Sequence, residues 1–250
     1  MLAVKLTIVG CAPAWTRRPG RASSCYLVEH GETALVFDLG QGAFAELSRY
    51  REPETVSAIF ISHLHADHCV DLIPLRHYLT YEREGGRPAI FGPPELRKRF
   101  DAFQHADFLS GFGGRPLEPG SSVEVGGLQI EAQSVTHIPA SFAFRVSVTG
   151  SAGPGLVYSG DCSVADDLLT LVRPGDTLLC EAAFGVGPSR GGIHLTATEA
   201  AAVAAERGAR RLILTHILDA SDEEASRDSA QEVFSGPVEI ARPGLSIDIG

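Results

Sequence analysis

The chain has 250 residues, of which 44% are hydrophobic and 21% are charged. This composition is typical of a globular protein with a sizeable core. Acidic residues outnumber basic ones by 31 to 21, giving a formal net charge of −10. The balance argues against an extended nucleic-acid surface, because such a surface needs a basic stripe to neutralise phosphates.

Strands and helices are predicted in chain order from the periodicity of the apolar residues. The first half contains strand-like segments at 2–9, 23–29, 33–40 and 55–63 and helical patterns at 44–51, 71–84 and 94–104. The second half contains strand-forming segments at 121–135, 141–148, 155–161, 177–184 and 211–216 and helices at 165–172 and 196–208. Hairpins followed by helices predict an α/β (α+β) fold of two packed sheets with helices outside. No linker divides the chain, so we expect one domain over residues 1–250.

The cysteine pattern indicates in which cellular compartment the protein is expected. Five cysteines without paired spacing, at positions 11, 25, 69, 162 and 180, predict reduced thiols in a cytoplasmic protein. Cys69 and Cys162 each follow a candidate ligand, but we interpret them as small buried groups. The segment IVGC at 8–11 resembles a lipidation site, yet Lys5 interrupts the apolar stretch that a signal peptide needs. No segment approaches the ~20 apolar residues of a membrane span, so no membrane partner is expected.

The segment HLHADH, residues 63–68, places four possible metal ligands within six positions. His63 and His65 would project to the same side of an extended strand. Asp67 and His68 fall where the chain must turn before the next helix. Imidazole and carboxylate groups together suit zinc, and also manganese or iron. Solvated loop histidines are the alternative, but this density of ligand-type residues favours a metal site.

Three later strand-like segments also end in a residue that can bind metal. They are SVTH, VYSGD and LILTH, which end in His137, Asp161 and His216. Core packing does not require such residues at these positions. With the first segment they make five histidines and two aspartates, enough for two metal ions that share one carboxylate.

This pattern resembles the metallo-β-lactamase superfamily, whose H-x-H-x-D-H signature matches residues 63–68. The resemblance implies a four-layer αββα sandwich and a site with two divalent ions, zinc being the expected metal. It implies that one ion is held by His63, His65 and His137, the other by Asp67, His68 and His216, with Asp161 bridging them. Asp38, in VFDLG, matches a further family position, where we expect a structural role.

Several differences between this chain and other classes of the superfamily restrict the reaction that we expect. The commonest class B β-lactamases have cysteine where Asp161 stands and arginine where His68 stands, so antibiotic hydrolysis is not expected. Glyoxalase-type thioesterases carry a helical C-terminal extension, whereas only 34 residues follow His216. The segments CEAAF at 180–184 and 191–217 resemble the ribonuclease Z branch and its phosphodiesterase relatives. In that branch a histidine like His194 protonates the leaving oxygen, assisted by a glutamate like Glu181.

The chemistry explains why such a pair would be needed. Phosphodiester cleavage expels an alkoxide, which leaves poorly unless it is protonated, and a paired His–Glu is a tunable acid. His194 also stands just before a helix start, HLTATE, in which Thr196 could be the N-cap and Glu199 its capping-box partner. The two interpretations are compatible. Glu181 taken alone resembles a solvated strand end.

The resemblance implies in-line displacement, in which two cations lower the pKa of a bridging water and Asp67, also a ligand, orients the attacking hydroxide or takes its proton. Ribonuclease Z enzymes usually have a tRNA-gripping arm between the third histidine and the bridging aspartate. Here only a strand, a turn and a strand separate His137 from Asp161. We therefore expect a small cyclic or linear phosphodiester substrate, such as a cyclic nucleotide, with tRNA 3′-end cleavage as the alternative. Lactone or thioester hydrolysis and non-catalytic metal or nucleotide binding stay open.

Four further residues could contact the substrate or line the entrance of the site. Arg190, in a loop at 185–192, could make a bidentate contact with a phosphate. Ser141, Phe108 and Phe112 could line the entrance of the site. A symmetric homodimer is plausible because such dimers are the commonest oligomers.

Overall fold

Two mixed β-sheets pack face to face in this computed structural model, which describes residues 3–83, 86–187 and 192–249. Within the described residues the first sheet has the strand order β13-β1-β2-β3-β4-β5, with the bounds Ser246–Ile249, Val4–Gly10, Cys25–His30, Thr33–Phe37, Ala58–Phe60 and Ala89–Phe91. The second sheet has the order β12-β11-β10-β9-β8-β7-β6, with the bounds Val238–Ile240, Arg211–Thr215, Thr177–Glu181, Leu156–Tyr158, Ser141–Val148, Leu128–Val135 and Ser121–Val125. Strand β13 pairs with β1, so the two ends of the described chain lie in one sheet.

The helices lie outside the two sheets. They are α1 to α6, with the bounds Ala43–Leu47, Ala66–Cys69, Leu72–Tyr81, Leu96–Phe103, Ala197–Arg207 and Glu223–Gln231. Helices α1, α3 and α4 bury apolar side chains against the outer face of the first sheet. Helices α5 and α6 pack in the same way on the second sheet. The fold is therefore the expected four-layer αββα sandwich.

Aromatic side chains fill the space between the sheets. Phe37 and Phe60 stack with ring centroids 5.2 Å apart, and Phe60 stacks on Phe91 at 4.9 Å. Phe144, from the opposite sheet, packs against Phe37 at 5.3 Å. Such pairs contribute beyond the apolar area they bury. This central layer holds the two sheets together and fixes the strand ends that carry the site.

The start of α5 agrees with the capping box predicted from the sequence. The Thr196 hydroxyl accepts a hydrogen bond from the Glu199 backbone N–H, and the Glu199 carboxylate accepts one from the Thr196 N–H at 2.8 Å. Gly208 ends the helix in the left-handed region with φ of 65°, where glycine carries no steric penalty. The cap fixes the backbone two residues after His194.

Some predicted elements differ from the structure. The helix predicted at 165–172 is only a 3-10 helix, Ala165–Leu168, and the chain turns over residues 169–171. The helix predicted at 71–84 runs over Leu72–Tyr81, and residues 84 and 85 lie outside the described residues. Helix α6 and strands β12 and β13, after residue 216, were not predicted. Among the described residues, no helix has the length and apolarity to span a membrane.

Candidate metal centre

The candidate ligands come together from the ends of separate strands. His63 follows β4, His137 follows β7, Asp161 follows β9 and His216 follows β11. Strands β9, β10 and β11 run parallel, so their C-terminal ends lie at one edge of the second sheet. This edge is where α/β folds commonly place ligands.

The first group contains His63, His65, His137 and Asp161, whose ligand atoms all lie within 4.8 Å of one another. His65 Nδ1 is 3.0 Å from His63 Nε2 and 3.5 Å from His137 Nε2. A single proton on one of three converging imidazole nitrogens cannot satisfy the other lone pairs, whereas a cation can be bound by all three. Their chemistry therefore fits a divalent metal ion such as zinc.

The second group contains Asp67, His68 and His216, all buried. His216 Nε2 is 3.1 Å from Asp67 Oδ2 and 3.4 Å from His68 Nε2. His216 has a φ of 59°, in the left-handed region that non-glycine residues rarely adopt. Backbone strain of this kind concentrates at functional sites.

Asp161 lies between the two groups. Its Oδ2 is 3.6 Å from His63 Nε2 and 3.7 Å from His216 Nε2, and its Oδ1 is 3.3 Å from His68 Nε2. Oδ1 is buried and accepts no hydrogen bond from the described residues. A buried carboxylate oxygen is costly without a partner, so its position fits a bridging ligand between two cations.

The protonation of the first group suits metal binding. Burial lowers the pKa of His63 and of His65, and it lowers the pKa of His137 to about 4. A histidine must be neutral to coordinate a metal ion. These side chains therefore present free lone pairs near neutral pH.

Hydrogen bonds outside the cluster orient several of the imidazoles. His68 Nδ1 lies 2.7 Å from Asp38 Oδ2, His137 Nδ1 lies 3.1 Å from the Ile193 carbonyl oxygen, and His63 Nδ1 lies 3.0 Å from Ser62 Oγ. In each case Nε2 is left to face the cluster. Metal-binding histidines are typically oriented by a hydrogen bond of this kind at the other nitrogen.

Asp38 is the centre of a buried hydrogen-bond network, which agrees with the structural role expected for it. Besides His68, it accepts hydrogen bonds from the Ser62 N–H at 2.7 Å, the Ser62 hydroxyl at 2.8 Å and the Tyr158 hydroxyl at 2.6 Å. Its φ is 59°. The sequence indicated Asp38 only through family resemblance. Sequence reasoning missed Ser62 and Tyr158, although the position of Ser62 directly before the signature was an available signal.

His194 and Glu181 form a close pair beside the cluster. His194 Nδ1 donates to Glu181 Oε1 at 2.9 Å and is 3.8 Å from Asp161 Oδ2. Although burial opposes protonation of the ring, the hydrogen bond and charge of Glu181 raise the pKa of His194. Burial raises the pKa of Glu181, and the hydrogen bond from His194 opposes this rise.

The alternative interpretation of Glu181 as a solvated strand end does not hold. Its side chain is fully buried, because the loop around Cys162 and the residues after β10 close over it. Cys162 N–H and Ala183 N–H donate to its two oxygens at 2.9 and 3.1 Å. The carboxylate is thereby held in one orientation toward His194.

The residues considered for the entrance lie elsewhere. Phe108 and Phe112 pack in the apolar layer outside the first sheet, and Ser141 is fully buried at the start of β8. Their side chains are covered by neighbouring segments, so the entrance prediction is wrong. Arg190 lies outside the described residues. All five cysteines are free and buried, as interpreted for Cys69 and Cys162.

Comparison with known proteins agrees with this geometry. A family model described as a β-lactamase superfamily domain matches residues 35–217, a span that contains every candidate ligand. The chain belongs to the metallo-β-lactamase superfamily. The uncharacterized protein ML1173 of Mycobacterium leprae is similar to this chain, with 34% identity over 259 residues that cover 100% of this chain and 90% of that protein.

Two further relatives in the superfamily have functional names. The probable metallo-hydrolase YhfI of Bacillus subtilis is 27% identical over 249 residues, covering 97% of this chain and 98% of that protein. The crystal structure of YhfI matches with a TM-score of 0.87 at 26% identity, covering 98% of this chain and 99% of that one. Ribonuclease Z of Myxococcus xanthus is 27% identical over 304 residues, covering 100% of this chain and 99% of that protein. The superfamily member described here is thus a metal-dependent hydrolase of the ribonuclease Z-like branch.

Proposed function

We propose that this hydrolase is a phosphodiesterase that acts on a small cyclic or linear phosphodiester, such as a cyclic nucleotide. The observation that carries the proposal is the buried Glu181 carboxylate that holds His194 at 2.9 Å, beside the candidate metal ligands. A hydrolase that expels a good leaving group has no need of such a positioned acid. An ester that leaves as an alkoxide needs one.

In this proposal the two groups of ligands hold two divalent cations, zinc being favoured by the histidine-rich donors. His63, His65 and His137 would hold one ion, Asp67, His68 and His216 would hold the other, and Asp161 would be a ligand of both. When bound, such a pair polarises phosphoryl oxygens and acidifies water. Manganese or iron would also suit these donors.

The chain's own groups then handle the protons. Asp67 Oδ2 lies near His68 and His216, while its Oδ1 has no hydrogen bond with the described residues and accepts the proton that the attacking water loses. As the new P–O bond forms and the ester P–O bond breaks, His194 transfers a proton from Nε2 to the departing oxygen. Glu181 accepts a hydrogen bond from Nδ1 throughout and stabilises the charged imidazolium before transfer.

The short connection between His137 and Asp161 supports a small substrate. Only the β8–β9 hairpin lies between His137 and Asp161. The match to the Myxococcus ribonuclease extends over 304 positions, more than the 250 residues of this chain, so segments of that enzyme have no counterpart here. The net charge of −10 also disfavours a long polyanion.

Transfer RNA 3′-end cleavage is the second candidate function. It is favoured by the similarity to ribonuclease Z over the whole chain. The same dyad would protonate a ribose oxygen, so the site chemistry suits both substrates. The two candidate substrates differ in the contacts that they would make with the protein outside the site.

Hydrolysis by purified, metal-reconstituted protein of cyclic AMP, bis(p-nitrophenyl) phosphate and a precursor tRNA tests the proposal. Cleavage of cyclic AMP but not of the tRNA, lost in His194→Ala, is the expected result. Specific cleavage of the tRNA at its 3′ end would favour the second candidate. Failure of all three substrates would overturn the phosphodiesterase proposal and direct attention to lactones and thioesters.

A further inference from the structure

A cleft of about 510 Å³ opens directly beside the candidate metal centre. It lies between the segment Leu64–Ile73, which contains α2, and the C-terminal half of α4. His65 belongs to both sites, because its Nδ1 faces the first group of ligands while its ring lines the cleft. A group attached to a phosphate at the centre could therefore extend past His65 into the cleft.

The lining of the cleft is mainly apolar and partly aromatic. Leu64, Val70, Ile73 and Phe100 contribute to its walls. Phe103 lies at the rim with 71% of its surface exposed. An exposed apolar surface next to a catalytic centre commonly marks a binding site.

One cation also lines the cleft. The guanidinium of Arg99 makes no hydrogen bond or ion pair with any of the described residues, although the chain as a whole is acidic. The two other arginines of α3 and α4 are engaged, since Arg76 donates to the Phe108 carbonyl oxygen and Arg97 donates to three carbonyl oxygens. Arg99 is thus available to a ligand, through stacking on a ring or through a charge-assisted hydrogen bond.

We propose that this cleft binds the nucleobase of the phosphodiester substrate, with the ring against Phe103 and Arg99. The proposal rests on the phosphodiesterase function proposed above and names the class of substrate as a nucleotide ester. A cleft of this volume falls within the range that small-molecule sites occupy. Aromatic side chains can stack on the flat face of any base, so such stacking does not depend on which base is present.

The lining of the cleft also predicts that the cleft does not distinguish one nucleobase from another. Arg99 stacks on the ring in this proposal, and no asparagine, glutamine or carboxylate side chain lines the described walls to read the hydrogen-bonding edge of a base. We therefore expect selection for a flat ring system rather than for one particular base.

Two esters with the same leaving group test the proposal. They are thymidine 5′-(p-nitrophenyl phosphate) and methyl p-nitrophenyl phosphate, which differ only in the group that would occupy the cleft. For Phe103→Ala the ratio of kcat/KM for the nucleoside ester to that for the methyl ester should fall about tenfold, because one base–aromatic stack is lost. Arg99→Ala should lower the same ratio, while Arg99→Lys should restore part of it.

Tyr81→Ala is the matched control. Tyr81 is similarly exposed, at 75%, but it stacks beside His77 on α3 and does not line the cleft. The ratio should be unchanged in this variant. An unchanged ratio in Phe103→Ala would overturn the proposal, and a changed oligomeric state of that variant with an unchanged ratio would assign the cleft to self-association.

Calorimetric binding to the metal-loaded protein separates this inference from the function on which it rests. Phe103→Ala should weaken binding of thymidine 5′-monophosphate about tenfold and leave binding of inorganic phosphate unaltered. If neither ester is hydrolysed, the phosphodiesterase proposal fails, and the calorimetry still decides whether the cleft binds a base. Equal affinities of the wild type and Phe103→Ala for the nucleotide would rule the base out.

Discussion

Replacement of Glu181 by glutamine should slow the hydrolysis of alkyl phosphodiesters without removing the metals. The carboxylate accepts hydrogen bonds from His194 Nδ1 at 2.9 Å, Cys162 N–H at 2.9 Å and Ala183 N–H at 3.1 Å. Glutamine keeps the shape but offers only one acceptor oxygen and adds an NH₂ donor. At least one of these donors must therefore lose its acceptor, and the negative charge that supports the imidazolium is removed.

The size of the effect follows from these contacts. A hydrogen bond to a charged group contributes about 1.5–3 kcal/mol. Loss of that contribution at His194 corresponds to about 10- to 100-fold in rate. The free energy of unfolding should also fall by about 1–3 kcal/mol, because a buried donor is left without an acceptor.

The assay compares two leaving groups in one protein. Cyclic AMP, or another alkyl diester that the wild type cleaves, expels an alkoxide that needs a proton, whereas bis(p-nitrophenyl) phosphate expels a nitrophenolate that does not. Glu181→Gln should lower kcat for the alkyl diester by the factor above and change kcat for the nitrophenyl ester little. Glu206→Gln, on the exposed face of α5, is the matched control. Equal losses on both substrates, with metal content unchanged, would refute the assignment of His194 and Glu181 to leaving-group protonation.

Three further predictions concern the metals and the fold. Asp38→Asn, which tolerates the left-handed backbone, should lower metal affinity about 10- to 100-fold, and unaltered metal retention against a competing chelator would contradict this. Gly40→Ala should lower Tm and metal content, because its Cβ would overlap the Asp67 carbonyl oxygen, whereas Gly86→Ala, with open space around it, should have little effect in the same thermal scan. Asp176→Ala should lower Tm by on the order of 10 °C by leaving buried Arg145 without the carboxylate that accepts from it at 2.8 and 2.9 Å. A calorimetric Tm near that of the wild type would show that this ion pair is not needed for stability.

Much of the candidate site could be predicted from local sequence. His63, His65, Asp67 and His68 lie within six positions, so they are close together, although the sequence predicted a strand and a turn where the structure has a loop after β4 and the short helix α2, Ala66–Cys69. His137, Asp161 and His216 were recognised by a simple rule, a ligand-type residue at the end of an apolar run. The cap of α5 was equally readable, since a capping box depends on residues only three apart.

Other features depend on segments that are distant in the chain. Glu181 resembled an exposed strand end until the segments around Cys162 and His194 were seen to cover it. Tyr158 reaches Asp38 across 120 positions of sequence, and no periodicity reports such a contact. The segment 165–172 shows the reverse case, because a local helical pattern predicted a helix where the structure has only the 3-10 helix Ala165–Leu168 followed by a turn.

The sequence by itself determined which residues stand at the strand ends, because strand and helix periods and the signature spacing are local properties of the chain. Only the tertiary structure decided which of those ends face one another, which carboxylates are buried and where a cleft remains open. Burial and hydrogen bonding depend on the packing of two sheets and their covering helices. The Phe103 cleft beside His65 exists only because α4 stands away from α2, and nothing in either helix alone specifies that gap.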